Sequence, residues 1–153
     1  MLKNENYSQF VKLMLNDLMN ERKHMLFYLT ASSTVSGLHR EEYKELFAKE
    51  AASEMSHVIE FQDALLGLGV DLASCTETES NHTYIISYEV VELLKYALKM
   101  EEEVVFNYTN RILNDIQLLD EPDRRYMEIF YENQIEKSRG DVDNYKMILR
   151  NLN

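Results

Sequence analysis

The sequence predicts an all-α fold: a four-helix bundle of up-down-down-up topology. Three observations lead there. Apolar residues recur at helical spacing in four separate stretches of the 153-residue chain. One Pro and four Gly leave too little punctuation for the turns of a many-stranded β fold. A polar, aperiodic segment at residues 70–86 separates the second stretch from the third, and a connection that long has a reason if it crosses the length of a bundle to join two parallel helices. With 45% apolar residues the chain has material for one core and not for two, so residues 1–153 are expected to form one domain.

The first helix is expected from about Tyr7 to Val35, on the spacing of Phe10, Val11, Met14, Leu18, Met25, Tyr28 and Leu29, with Ser36-Gly37 as its stop. The second runs from about Glu41 through Tyr43, Phe47, Ala51, Val58, Phe61 and Leu65 to the C-terminal glycine signal Gly67-Leu68-Gly69. Its short link to the first helix makes the two antiparallel. The crossing segment contains Cys75, Thr76, Thr78, Ser80, Asn81 and His82. Ser87 is the expected N-cap of the third helix, which runs through Val91, Leu94, Leu98, Val105, Tyr108 and Ile112 to about Leu118. Asp120-Glu121-Pro122 opens the fourth, because Pro is tolerated in a first turn. Met127, Phe130, Ile135, Val142, Tyr145 and Leu149 carry that helix to the end of the sequence, leaving nothing for a fifth.

Charge and cysteine usage narrow the function. Asp and Glu number 27 against 16 Lys and Arg, a formal charge of −11, which disfavours binding nucleic acid through a basic patch. Cys75 is the only cysteine, so the chain alone builds no disulfide, no CxxC redox pair and no iron–sulfur centre. No stretch approaches the roughly 20 apolar residues of a membrane span, and the first residues lack the apolar core of a signal peptide. The expectation is a cytoplasmic protein with Cys75, His39 and His82 at its surface.

On a wheel of about 100° per residue, most charged side chains fall on the outer face of each helix. Three acids do not. Glu21 lies near the direction of Phe10, Met14 and Tyr28; Glu54 lies within the arc of Phe47, Phe61 and Leu65; Glu101 sits at the centre of the stripe of Leu94, Leu98, Val105 and Tyr108. Burying a bare carboxylate costs several kcal/mol even after relaxation, so a positive charge has to meet these groups. His57 follows Glu54 by three residues and points to the same side of its helix. Glu-x-x-His on a bundle helix, facing Glu from neighbouring helices, is a ligand pattern for a pair of iron or manganese ions.

The segment Glu54-Met55-Ser56-His57 matches the second-helix signature of the bacterioferritin and bacterial ferritin branch of the ferritin-like superfamily. The run Glu101-Glu102-Glu103-Val104-Val105-Phe106-Asn107-Tyr108 resembles its third-helix segment, in which a ligand Glu precedes a Tyr by seven. Glu21 and Glu54 stand 33 residues apart, the family interval, and Tyr28 lies seven after Glu21, where bacterial ferritins carry a Tyr beside the metals. The resemblance implies a ferroxidase: Fe(II) held by Glu21, Glu54, His57 and Glu101, with Tyr28 beside them, oxidised by dioxygen or peroxide and stored as ferric iron in a homo-oligomeric shell. It also implies that Met55 stands where bacterioferritins ligate haem between two subunits, although haem-free ferritins carry Met there too. Lack of a fifth helix favours, by analogy, a 12-subunit shell over one of 24.

The fourth helix departs from the family, which expects there a second Glu-x-x-His, or a Gln followed by Glu. Two registers are open. If Val142, Tyr145 and Leu149 set it, Ser138 replaces the Glu and Asp141 the His; if loop length sets it, Gln134 takes the Gln position and Lys137 that of the acid. The first is preferred, with Asp141 as the metal ligand of a poorer second site. Glu21-Arg22-Lys23-His24 is a further Glu-x-x-His on the first helix, where the family has none. His24 reads as a solvent or interface histidine, or as a ligand of a rearranged site. Loss of the fourth-helix ligands also admits a second function, a catalytically degenerate structural subunit.

Overall fold

A computed structural model describes residues 4–74, 84 and 86–152. Four long helices are present among them, and no strand: α1 (Glu5–Thr34), α2 (Arg40–Gly67), α3 (Val90–Asn110) and α4 (Asp123–Arg150). The surface assignments of Cys75 and His82 concern residues outside this set. The chain divides into two compact units, one of Val11–Val90 and one of Met1–Phe10 with Val91–Asn153.

In the unit Val11–Val90, α1 and α2 bury Met14, Leu18, Phe27, Tyr28, Phe47, Phe61 and Leu65 completely. Tyr28 stacks on Phe47 at 6.3 Å and meets Phe27 edge-on at 5.3 Å. The buried positions of α1 advance through Phe10, Met14, Asp17, Glu21, His24, Tyr28 and Ala31 in steps of three and four residues. Leu29, expected inside, lies beyond that stripe and is 48% exposed, while Phe27 takes the inward place.

The end of α2 is set by glycine chemistry. Gly69 adopts φ +90°, the left-handed conformation that favours residues without Cβ. The Val70 N–H then reaches back to the Leu65 carbonyl and the Gly69 N–H to that of Leu66, each at 3.0 Å, a Schellman closure. Residues 68–89 connect α2 to α3, and among the described residues of that connection Leu72–Ser74 forms a 3-10 turn. The described ends of this connection lie at opposite ends of the helix pair. It leaves from the C-terminal end of α2, yet the Ser36 N–H donates to the Tyr88 carbonyl (3.0 Å), Thr34 Oγ1 to the Ser87 carbonyl (2.8 Å), and Thr30 Oγ1 shares a hydrogen bond with the Tyr84 hydroxyl (3.0 Å). The crossing therefore ends beside the C-terminus of α1, at the other end of α2.

Ser87 is not the N-cap expected of it. Its Oγ accepts from the Glu89 N–H at 2.9 Å, two residues on, and α3 begins at Val90. Within the second unit the path of the third helix does reach Leu118, but only α3 is regular. A π turn at Arg111–Asp115, spanned by the Arg111–Asp115 ion pair of 2.9 Å, and a 3-10 turn at Ile116–Leu118 complete it. Ile116 and Leu119 are buried by that path. The inner face of α3 consists of Leu93, Leu94, Ala97, Met100, Glu101, Val104 and Tyr108, so Leu98 and Val105 are only half-buried. Tyr131 on α4 is the hub of an aromatic cluster, with ring centroids 5.2 Å from Tyr108, 5.4 Å from Phe130 and 6.5 Å from Phe10.

Candidate metal centre

Glu21 projects from the middle of α1, and Glu54 and His57 from one turn of α2. All three are at least 97% buried. Helical spacing explains the pairing on α2, since residues three apart lie on one face. His57 Nδ1 is 3.4 Å from Glu54 Oε2 and 3.9 Å from Glu21 Oε2. One ligand atom from each of the three residues lies within 4.8 Å of the others. Two carboxylates and an imidazole converging in a dry interior are donors suited to a divalent first-row metal ion, whose charge offsets the cost of burying the acids.

Burial by itself would raise the Glu21 pKa. Side-chain hydrogen bonds with Glu54 and His57, and the charges of His24 and His57, outweigh it and pull the carboxyl from 4.5 down to about 2. Glu21 is therefore held as a carboxylate, the form that binds a cation.

A sequence model of the ferritin-like domain matches residues 11–153. The chain belongs to the ferritin-like domain family. No curated protein sequence matches it. Among solved structures, it is similar to a ferritin-like, diiron-carboxylate protein from Bacillus anthracis str. Ames, with TM-score 0.79, 20% identity, and coverage of 96% of this chain and 99% of that one. It is also similar to a dodecameric thioferritin, the bacterioferritin-related protein of Bacteroides fragilis, with TM-score 0.68, 14% identity, and coverage of 95% and 89%. The all-α four-helix bundle expected from the sequence is thus the fold of this ferritin-like chain.

The other residues singled out from the ferritin-like pattern fall as follows. Glu101 is 1% exposed on α3, as its place in the apolar stripe requires. Tyr28 and Tyr108 are buried core aromatics. Met55 is 53% exposed, on the side of α2 away from Glu54 and His57. On α4, Gln134 and Ser138 are buried, Asp141 is half-buried and Lys137 is exposed. The register that would set Lys137 in an inward acid position accordingly finds its side chain in water. His39 is exposed, as expected, beside Glu42.

Two buried groups depart from the sequence reading. His24 is not a solvent histidine: it is 7% exposed, with Nδ1 3.9 Å from Glu21 Oε2. Its signal was visible, since it follows Glu21 by the three residues that separate His57 from Glu54. Asp17, assigned with the outer charges, is 2% exposed. It precedes Glu21 by one helical turn, a spacing that could have marked it as inward.

Proposed function

We propose that this protein binds Fe(II) in the interior of a single ferritin-like domain, oxidises it with dioxygen or peroxide, and stores the ferric product inside a homo-oligomeric shell. The observation that carries the proposal is the buried convergence of Glu21, Glu54 and His57. Fe(II) is the substrate, and each ion gives up one electron to the oxidant. Glu21 and Glu54 supply negative charge that favours the ferric product over the ferrous substrate, while His57 adds a neutral nitrogen donor and leaves room for further ligands. Burial excludes bulk water, so these charges act with little screening. The family pattern adds Glu101 as a further ligand and Asp141 as the weaker one. Tyr28, buried one helical repeat from Glu21, is proposed to orient the acids through its hydroxyl. The proposed oxidation is assigned to the buried acids and His57, and exposed Met55 is not among its residues.

The shell rests on the dodecameric assembly of the similar thioferritin, and 12 subunits are preferred to 24. The cytoplasm is the proposed location; no helix among the described residues is long and apolar enough to cross a membrane.

A second reading, a ferritin-like structural subunit with little oxidase activity, is favoured by α4, which in the preferred register buries Ser138 where the family places an acid. Anaerobic titration of Fe(II) into the metal-free protein, followed by admission of oxygen, separates the two. The oxidase predicts saturable iron uptake and ferric absorbance rising far faster than in buffer. Both are impaired in Glu54→Ala, with affinity at the position shared with His57 falling on the order of 100-fold, and reduced in Glu101→Ala. Oxidation no faster than in buffer would leave the structural subunit as the function.

A further inference from the structure

Glu-x-x-His occurs twice within the unit Val11–Val90, once on each helix of the antiparallel pair, and both copies face inward. Glu21 and His24 are 2% and 7% exposed, Glu54 and His57 1% and 3%. The same oxygen, Glu21 Oε2, stands 3.9 Å from His24 Nδ1 and 3.9 Å from His57 Nδ1. A carboxylate flanked by two buried imidazoles, one from its own helix and one from the next, is within reach of an ion held by either.

We infer that His24 is a metal ligand, and that Glu21 would be shared between two metal positions, one completed by Glu54 and His57 and the other by His24. This rests on the metal reading proposed above and goes beyond the family pattern, which has no histidine at this place.

Three considerations carry it. The first is reach. Metal–nitrogen and metal–oxygen bonds are each about 2.1 Å, so two donors up to about 4.2 Å apart can share one ion. The 3.9 Å separation of His24 from Glu21 meets that limit with the helices where they are. The second is number. His24 is not among the donor atoms of Glu21, Glu54 and His57 that lie within 4.8 Å of one another, so an ion it held with Glu21 would occupy a separate position, with these two residues as its donors. The third is burial. His39 and Glu42 are also three apart, with Nδ1 3.5 Å from the carboxylate, but their side chains are 58% and 78% exposed, as expected of an ordinary surface pair. The His24 and Glu21 side chains are 9% and 2% exposed, and a helix gains nothing by burying an imidazole beside an acid unless their polarity is used there.

The test is Co(II) binding by the full chain, read by titration and by the exchangeable imidazole N–H resonances that a paramagnetic ion shifts out of the diamagnetic envelope. The wild type is expected to bind two Co(II) per chain and to show shifted resonances from two histidines. His24→Ala is expected to keep the position at His57, with its resonance and affinity, and to weaken the other ion ~10-fold or more. His57→Ala is expected to do the converse. The circular dichroism of the metal-free variants checks folding, and His24→Gln, which retains bulk and polarity, takes the place of His24→Ala if that chain does not fold. Co(II) uptake and both shifted resonances unchanged on replacing His24 would overturn the inference while leaving the centre at His57 intact. A wild type that binds no Co(II) would overturn the centre itself, and this inference with it.

Discussion

Helices α2 and α4 are each 28 residues long, and each buries one stripe of side chains at steps of three and four. On α2 the stripe passes from Phe47 through Ala51, Glu54 and His57 to Phe61 and Leu65; on α4 it passes from Met127 through Tyr131, Gln134 and Ser138 to Val142, Tyr145 and Leu149. Both are interrupted near the middle by polar residues, but the interruptions differ in kind. The groups on α2 ionise, and Glu54 and His57 meet a third ionisable group, Glu21, within 4 Å of His57. Those buried on α4 are neutral amide and hydroxyl groups, which need hydrogen bonds and no counter-charge. The difference teaches which of the two fully buried stripes offers charged donors to a cation. A buried acid is affordable where other charges converge on it, and a neutral polar residue is what the same stripe accepts where none is required.

The largest effect is expected from converting α4 toward α2. Ser138→Glu puts a carboxylate at a position that is 3% exposed. Uncompensated, such a charge costs about 3 kcal/mol or more, and in a domain of this size the metal-free protein should melt roughly 6–12 °C lower. Adding Asp141→His restores a Glu-x-x-His, and Fe(II) or Co(II) should then recover most of that loss. Melting temperatures equal to wild type with and without metal would show that the inner stripe of α4 tolerates charge as α2 does, and the contrast would fail.

An intermediate effect concerns acid. The Glu21 pKa is about 2 in the folded protein against 4.5 unperturbed, so the unfolded state binds more protons between those values. The sign follows: the stabilisation contributed by Glu21 is full above about pH 4.5 and is lost as the pH falls toward 2. Urea midpoints of the metal-free protein between those pH values should fall steeply for wild type and less steeply for Glu21→Gln. Parallel slopes would mean that Glu21 is not held as the anion by its neighbours. The smallest effect is expected at Lys137, which is exposed on α4. Lys137→Ala should change stability by no more than about 0.5 kcal/mol and leave the Co(II) isotherm unchanged. A weakened isotherm would revive the register that assigns Lys137 to the acid position.

Much of this was legible in the sequence because it depends on local period. The inward direction of Glu21, Glu54, His57 and Glu101 follows from about 100° per residue together with the apolar residues around them. The end of α2 follows from Gly69, whose φ of +90° disfavours side chains. The irregular end of the third helix was not legible. Its apolar positions continue to Leu118, but the π and 3-10 turns at Arg111–Leu118 arise from how the chain buries Ile116 and Leu119 while approaching α4. Period alone placed Leu29 inside because a single wheel tolerates a broad arc, whereas packing takes a narrow one and chose Phe27.

By itself the sequence determined the helical class, the four long helices, the crossing segment and the inward acids, since each is a matter of residue type and spacing along one chain. Only the tertiary structure decided which polar groups meet. His24 and His57 lie 33 residues apart in sequence, yet both stand 3.9 Å from one oxygen of Glu21. Spacing along a helix says which way a side chain points, and only the packing of one helix on another says what it points at.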